Sequence, residues 1–204
     1  NLGDIPGAAR YLQAALRLNP GWLQWPYNVA LLRLKQDRRA EAMRHLRTAL
    51  KQQPNYPEAV RAMADLLQRR RKPALALRLL EAASTEPPSD AQIEFQIGNI
   101  HFAERRPEAA VTHYRRAVAL KPDAAELYAN LGTVLNALGD RQGSLEAQQR
   151  AVALNPRFAL AQNGLGNALS SLDRLEEARA AYQQAVDLEP ALVVARINLG
   201  NALR

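Results

Sequence analysis

Apolar residues recur along this chain at three- to four-residue spacing, as in Leu127, Leu131, Val134, Leu135 and Leu138, which is the period of one face of an α-helix. Short polar stretches rich in Gly, Asp and Arg separate the runs: Leu2-Gly3-Asp4, Gln36-Asp37-Arg38, Leu138-Gly139-Asp140 and Leu172-Asp173-Arg174. The pattern predicts short helices joined by tight turns. It also repeats. Pro20, Pro54, Pro88, Pro122, Pro156 and Pro190 recur at a constant interval, with an alanine five residues before each (Ala15, Ala49, Ala83, Ala117, Ala151, Ala185). Twelve before each stands a second small residue: Ala8, Ala42, Ala76, Ala110, Ser144 and Ala178. A further small register, Ala30, Ala64, Gly98, Gly132, Gly166 and Gly200, follows an apolar residue every time (Val29, Met63, Ile97, Leu131, Leu165, Leu199).

Each register has a mechanical reason. Small residues belong where two antiparallel helices cross, because a larger side chain would overpack the contact. Proline restricts the residue before it and cannot donate into a helix, so it ends the second helix of each pair. Pro26 falls in the first turn of a helix, where proline is tolerated. A fixed interval in this size range signals stacked supersecondary units, each needing its neighbour to bury its apolar face.

The period and the succession of Leu-Gly, Tyr, Ala and Pro resemble the tetratricopeptide repeat family over essentially the whole chain. The nearest matches are Leu131-Gly132…Ala151…Pro156 and Leu165-Gly166…Ala178…Tyr182…Ala185…Pro190. They are similar to the repeats of sugar-transferase superhelices. Early repeats depart from the pattern: the first-helix aromatic survives only as Tyr128, and Ala30 and Ala64 replace the glycine. The resemblance implies an all-α, right-handed α-solenoid of antiparallel helix pairs with about twelve helices. The expected division is a partial repeat at 1–22, whole repeats at 23–56, 57–90, 91–124, 125–158 and 159–192, and a partial repeat at 193–204. The least family-like repeat, 57–90, is expected to be a soft joint. Neither end carries an obvious polar capping helix, and the first residue is Asn1, so the array is expected to continue in a longer parent protein. The bare ends also suggest self-association.

The resemblance further implies that the first helix of each pair lines a concave groove. Carried residue by residue, that face is opened by Tyr27, Asn28 and Lys35 and continues through Arg61, Asp65, Gln68 and Arg69. Gln92, Phe95, Gln96, Asn99 and Phe102 follow, then Glu126, Asn130, Thr133 and Asn136. Asn163, Asn167 and Ser170, with Asn198 and Asn201, complete it. Asn99, Asn130, Asn167 and Asn198 alternate between neighbouring positions and form an expected amide ladder. An amide offers donors and an acceptor together, as an extended peptide backbone requires. The expected ligand is thus a peptide or protein segment, with Phe95 and Phe102 as apolar anchors. A ladder that only bonds its neighbours and stiffens the stack is the alternative. A carboxylate clamp of the chaperone type is disfavoured, because Phe95, Leu160 and Gly164 stand where its cations belong.

Composition adds limits. The chain of 204 residues is 48% hydrophobic and 23% charged, which is ordinary for a folded protein. No apolar run is long enough to insert into a membrane. Cysteine is absent, which removes disulfides, thiolate metal sites and a cysteine nucleophile, and leaves the compartment open between cytoplasm and periplasm. The net charge of +7 is concentrated in residues 1–102, which hold 15 basic and 9 acidic groups against 12 and 11 in residues 103–204. Arg69-Arg70-Arg71-Lys72, Arg38-Arg39 and Arg105-Arg106 fall at equivalent turns. No aromatics interleave with them as a base-stacking platform would need, so a solvated edge is expected rather than a specific nucleic-acid site. His45, His101 and His113 are expected to lie apart in different repeats, without ligand spacing. Trp22 and Trp25 are expected to pack at the connector before the first whole repeat. No phosphate loop, Ser-His-Asp set or inward carboxylate pair is recognisable, so the chain is expected to have no enzymatic activity and to need no cofactor or metal. The function expected is a protein-binding scaffold. The substrate-selecting arm of a bacterial glycosyltransferase or sulfotransferase, and a periplasmic scaffold for secretion or polysaccharide export, are the alternatives.

Overall fold

The computed structural model describes residues 24–85 and 90–203. Eleven helices lie among these residues: α1 (Trp25–Lys35), α2 (Arg39–Gln52), α3 (Pro57–Arg69), α4 (Pro73–Ser84), α5 (Ala91–Ala103), α6 (Pro107–Leu120), α7 (Ala125–Ala137), α8 (Arg141–Leu154), α9 (Ala159–Ser171), α10 (Leu175–Leu188) and α11 (Val193–Ala202). No strand occurs among the described residues. The helices are antiparallel pairs of an all-α solenoid. They fall into two compact units, one ending at Gln96 and the other beginning at Ile97, with the division inside α5. Trp25 opens α1 half-buried, whereas Trp22 and the segment 1–22 lie outside the described residues.

The starts and stops follow from local chemistry. Pro57, Pro73 and Pro107 begin their helices at positions whose N–H would have no partner within the helix. The second helices α2, α6, α8 and α10 each stop two residues before a proline. The residues directly before those prolines, Gln53, Lys121, Asn155 and Glu189, have φ of −141°, −139°, −143° and −141°. This is the extended backbone that a following proline enforces.

The first helices stop differently. Asp37, Arg71, Arg105, Gly139 and Asp173, five equivalent positions, all adopt left-handed backbone. The next N–H reaches back across the turn each time: Arg38 to the Arg33 carbonyl at 2.8 Å, Lys72 to Leu67, Arg106 to His101 and Asp140 to Leu135 at 2.9 Å, and Arg174 to Leu169 at 3.0 Å. These are Schellman closures, which satisfy carbonyls that a helix end otherwise leaves open.

The small registers sit in the core. Ala42, Ala76, Ala110, Ser144 and Ala178 are buried, as are Ala49, Ala83, Ala117, Ala151 and Ala185. In the first unit, Ala30, Met43, Leu46, Ala59, Met63 and Leu66 form one cluster. In the second, Leu145, Ala168, Leu169, Ala181 and Tyr182 form another. The glycines explain the closest approaches. A Cβ at Gly98 would come within 2.8 Å of the Tyr114 ring, and one at Gly166 within 2.5 Å of Tyr182. At Gly200, the equivalent position on α11, the space is open.

Candidate functional site

The second unit holds all four rungs of the expected ladder. On α5 and α6, the Tyr114 hydroxyl donates to Asn99 Oδ1 at 2.6 Å. On α9 and α10, the Tyr182 hydroxyl donates to Asn167 Oδ1 at 2.9 Å. Asn198 on α11 then spends both amide hydrogens on α9: Nδ2 donates to Asn163 Oδ1 at 2.9 Å and to Asn167 Oδ1 at 3.1 Å. Asn163 is itself only 6% exposed, so it works inside the network. Asn130 Nδ2 donates to the Glu126 carbonyl of its own helix at 2.9 Å, and Thr133 Oγ1 to the Ala129 carbonyl at 2.9 Å. Asn201 is exposed and has no hydrogen-bond partner among the described residues.

These bonds orient the amides. A carbonyl oxygen held by a tyrosine hydroxyl turns the NH₂ of Asn99 and Asn167 away from the core, as donors. Asn198, whose hydrogens are both used, keeps its Oδ1 as an acceptor. The tyrosines stay protonated as donors, since burial pushes the Tyr114 phenol well above its ordinary range and raises Tyr182 as well. Between the two Tyr–Asn pairs stands a variant, Thr133 with Gln148. Gln148 is 1% exposed and donates through Nε2 to the Ala129 carbonyl at 2.9 Å. A Cβ at Gly132 or Gly164 would meet it at 2.7 or 2.6 Å, so both glycines make room for this amide.

The first unit offers a charged face rather than an amide one. Arg61 lies 3.7 Å from Asp90, whose carboxylate also caps α5 by accepting from the Gln92 and Ile93 amides at 2.7 and 3.0 Å. Gln96 Nε2 donates to Asp65 Oδ1 at 2.9 Å. Desolvation raises the Asp65 carboxyl pKa, and Arg69 and Arg61 oppose that shift. Asn28 is half-buried and makes no side-chain hydrogen bond among the described residues. Beside it, Tyr27 meets Tyr56 edge to face at 5.2 Å.

Two expectations need correction. Phe95 is only 8% exposed, so it is part of the packing and not a surface anchor. Its position on an amphipathic wheel is shared by a core-facing flank, which spacing alone does not separate from the groove. Phe102 is half-buried, in a cleft with Arg105, Pro107 and Ala137. The histidines do not all lie apart: His101 and His113 belong to one helix pair and stack at 5.3 Å with an interplanar angle of 22°. No group of three or more His, Asp or Glu placed to hold a metal occurs among the described residues. Of the basic turns, Arg38 pairs with Glu41 at 2.6 Å, Arg39 with Asp37 at 2.9 Å and Arg106 with Glu104. No helix among the described residues is long and apolar enough to cross a membrane.

Sequence reasoning missed the tyrosines that hold the amides. Their signal was present, since Asn99 to Tyr114 and Asn167 to Tyr182 have the same offset, two repeats apart.

Comparisons with known proteins agree with this architecture. A family described as TPR repeat matches residues 98–139 and 166–203, and families described as tetratricopeptide repeat match 1–57, 33–94 and 124–155. No curated protein sequence matches the chain. Among solved structures, residues 41 to the end of MamA from Desulfovibrio magneticus RS-1 superpose with a TM-score of 0.71 at 20% identity, covering 83% of this chain and 96% of that one. YrrB, described as a TPR protein with an unusual peptide-binding site, gives 0.72 at 18% identity, with 91% and 96% covered. The Arabidopsis OM64 TPR domain gives 0.53 at 23% identity, with 55% and 93% covered. At these identities the likeness speaks to the fold. With helix pairs, repeat registers and matches along the chain in agreement, this protein belongs to the tetratricopeptide repeat family.

Proposed function

We propose that the chain is a binding scaffold without catalytic chemistry of its own, and that the amide face of the second unit holds an extended segment of another polypeptide. The observation that carries this reading is the fixed orientation of the amides. Asn99 and Asn167 present donors, and Asn198 presents an acceptor, because tyrosine hydroxyls and neighbouring amides occupy their other ends. A peptide in extended conformation displays N–H and C=O groups in alternation, and matching them needs both kinds of partner. Each bond contributes only about 0.5–1.5 kcal/mol net, so several rungs must act together. Side-chain selectivity would be low, and affinity would grow with the length of the segment.

The test uses a fluorescent random-sequence peptide library, or peptides recovered from a pull-down, titrated against the chain. Replacing Asn130 and Asn167 together by alanine should weaken binding by about ten-fold, the equivalent of roughly 1.4 kcal/mol. Unchanged affinity with retained helicity would make the amides a structural brace only.

A further inference from the structure

A second surface, in the first unit, is built of different chemistry. Between α2 and α4, over the outer end of α3, runs an open groove whose floor is Met43, Met63 and Leu67. Leu50, Leu75 and Leu79 wall it, and Arg47 and Lys51 stand on its rim. The leucines explain why it is there. Two repeats further on, their positions carry Gly143 and Ala147, and one repeat on, Ala109 and His113. Leucine at both positions gives this face of α4 more apolar side chain than its counterparts in the other repeats carry. Leu75 stays 47% exposed, and Leu50, Leu67 and Leu79 are half-buried. The floor contains both methionines of the chain. Methionine is unbranched and polarisable, so it adapts to an incoming apolar side chain.

The rim sets the sign of the ligand. Residues 39–84 hold ten basic side chains against four acidic ones. Arg47 and Lys51 are exposed and form no ion pair or hydrogen bond among the described residues. Arg70 Nη1 lies over the floor, 3.3 Å from the Met43 sulfur. Of the four acids, Glu41 is held by Arg33 and Arg38, and Asp65 by Gln96. The walls set the conformation. They are helices whose backbone groups are already bonded within the helix, so they offer nothing to the backbone of an extended chain. A strand laid here would bury its own N–H and C=O groups unpaired, while a helix satisfies them internally.

We infer that the groove between α2 and α4 docks an acidic amphipathic α-helix of a partner protein, its apolar residues at i, i+3 or i+4 and i+7 entering between Leu75 and Leu50 and its carboxylates meeting Arg47 and Lys51. The site is separate from the amide face and does not depend on it.

The probe is a synthetic helical peptide with leucines at i, i+3, i+4 and i+7 on a Glu-rich background, followed by anisotropy and by the methyl resonances of Met43 and Met63. Binding should shift both methyl signals and weaken with salt. Reversing the rim with Arg47→Glu and Lys51→Glu, or placing a charge on the wall with Leu75→Asp, should weaken it by about ten-fold or more. These positions are exposed, so the variants keep the fold, which circular dichroism verifies. The Asn130→Ala, Asn167→Ala protein should bind the probe like the parent. Equal binding of a Lys-rich peptide with the same leucines, unmoved methionine methyls, or capture of phosphatidylglycerol vesicles in place of the peptide would each overturn the assignment.

Discussion

At the scale of single residues, the turns between paired helices are the least settled part of the sequence. All five equivalent positions take left-handed backbone, yet only Gly139 has no Cβ to oppose it. Asp37 and Asp173 are tolerable there, because a short polar side chain visits this region more readily. Arg71, at φ 56°, and Arg105, at φ 60°, have no such relief. Left-handed backbone costs a residue with a Cβ roughly 1–2 kcal/mol, partly offset in glycine by the freedom it loses on folding. Arg71→Gly and Arg105→Gly should therefore each stabilise the protein by about 0.5–1 kcal/mol and raise the melting temperature. Gly139→Arg should do the reverse. Thermal denaturation of the three variants checks this, and a lowered melting temperature for both glycine variants would show that the arginine side chains contribute more than their backbone costs.

At the scale of helix pairs, the glycine register makes a contrast that sequence alone does not reveal. Gly166 and Gly200 occupy the same repeat position, but Gly166 faces the Tyr182 ring of α10 and Gly200 faces open space. Gly166→Ala should force that buried ring aside and destabilise by about 1–3 kcal/mol, as overpacked contacts do. Gly200→Ala meets nothing and should stabilise α11 by up to about 1 kcal/mol through helix propensity. Equal effects in chemical denaturation would mean that Tyr182 repacks freely. What was legible beforehand follows the same division. Helix pairs were readable because prolines and small residues are demanded at fixed positions by sterics, and Ala42, Ala76, Ala110 and Ala178 are buried as their register requires. The left-handed turn positions were not, since Asp, Arg and Gly share a backbone state there and no side-chain type. Amide positions were legible and their bonding was not. Asn198 reaches Asn163 across a helix pair, and the tyrosines that orient Asn99 and Asn167 come from the partner helix of each pair. Phe95 misled because a residue between groove and core has the same spacing on either reading.

At the scale of the whole molecule, stability should be local. The first unit holds a core cluster that includes Met43, Leu46 and Met63, and the second holds one that includes Leu145, Leu169 and Tyr182. In a stack where each helix pair contacts its neighbours, a perturbation is felt through adjoining interfaces and fades with distance along the chain. A soft joint at 57–90 is an expectation of the same kind, and the groove lined by Leu75 and Leu79 lies within the first unit. Gly166→Ala offers a clean probe, because its primary contact lies between α9 and α10. Amide hydrogen exchange should show lost protection in α9, α10 and α11, a smaller loss in α8, and none in α1 to α4. A loss spread evenly from α1 to α11 would instead mean that both units unfold as one cooperative body, and the stability of each binding face would then depend on every repeat in the chain.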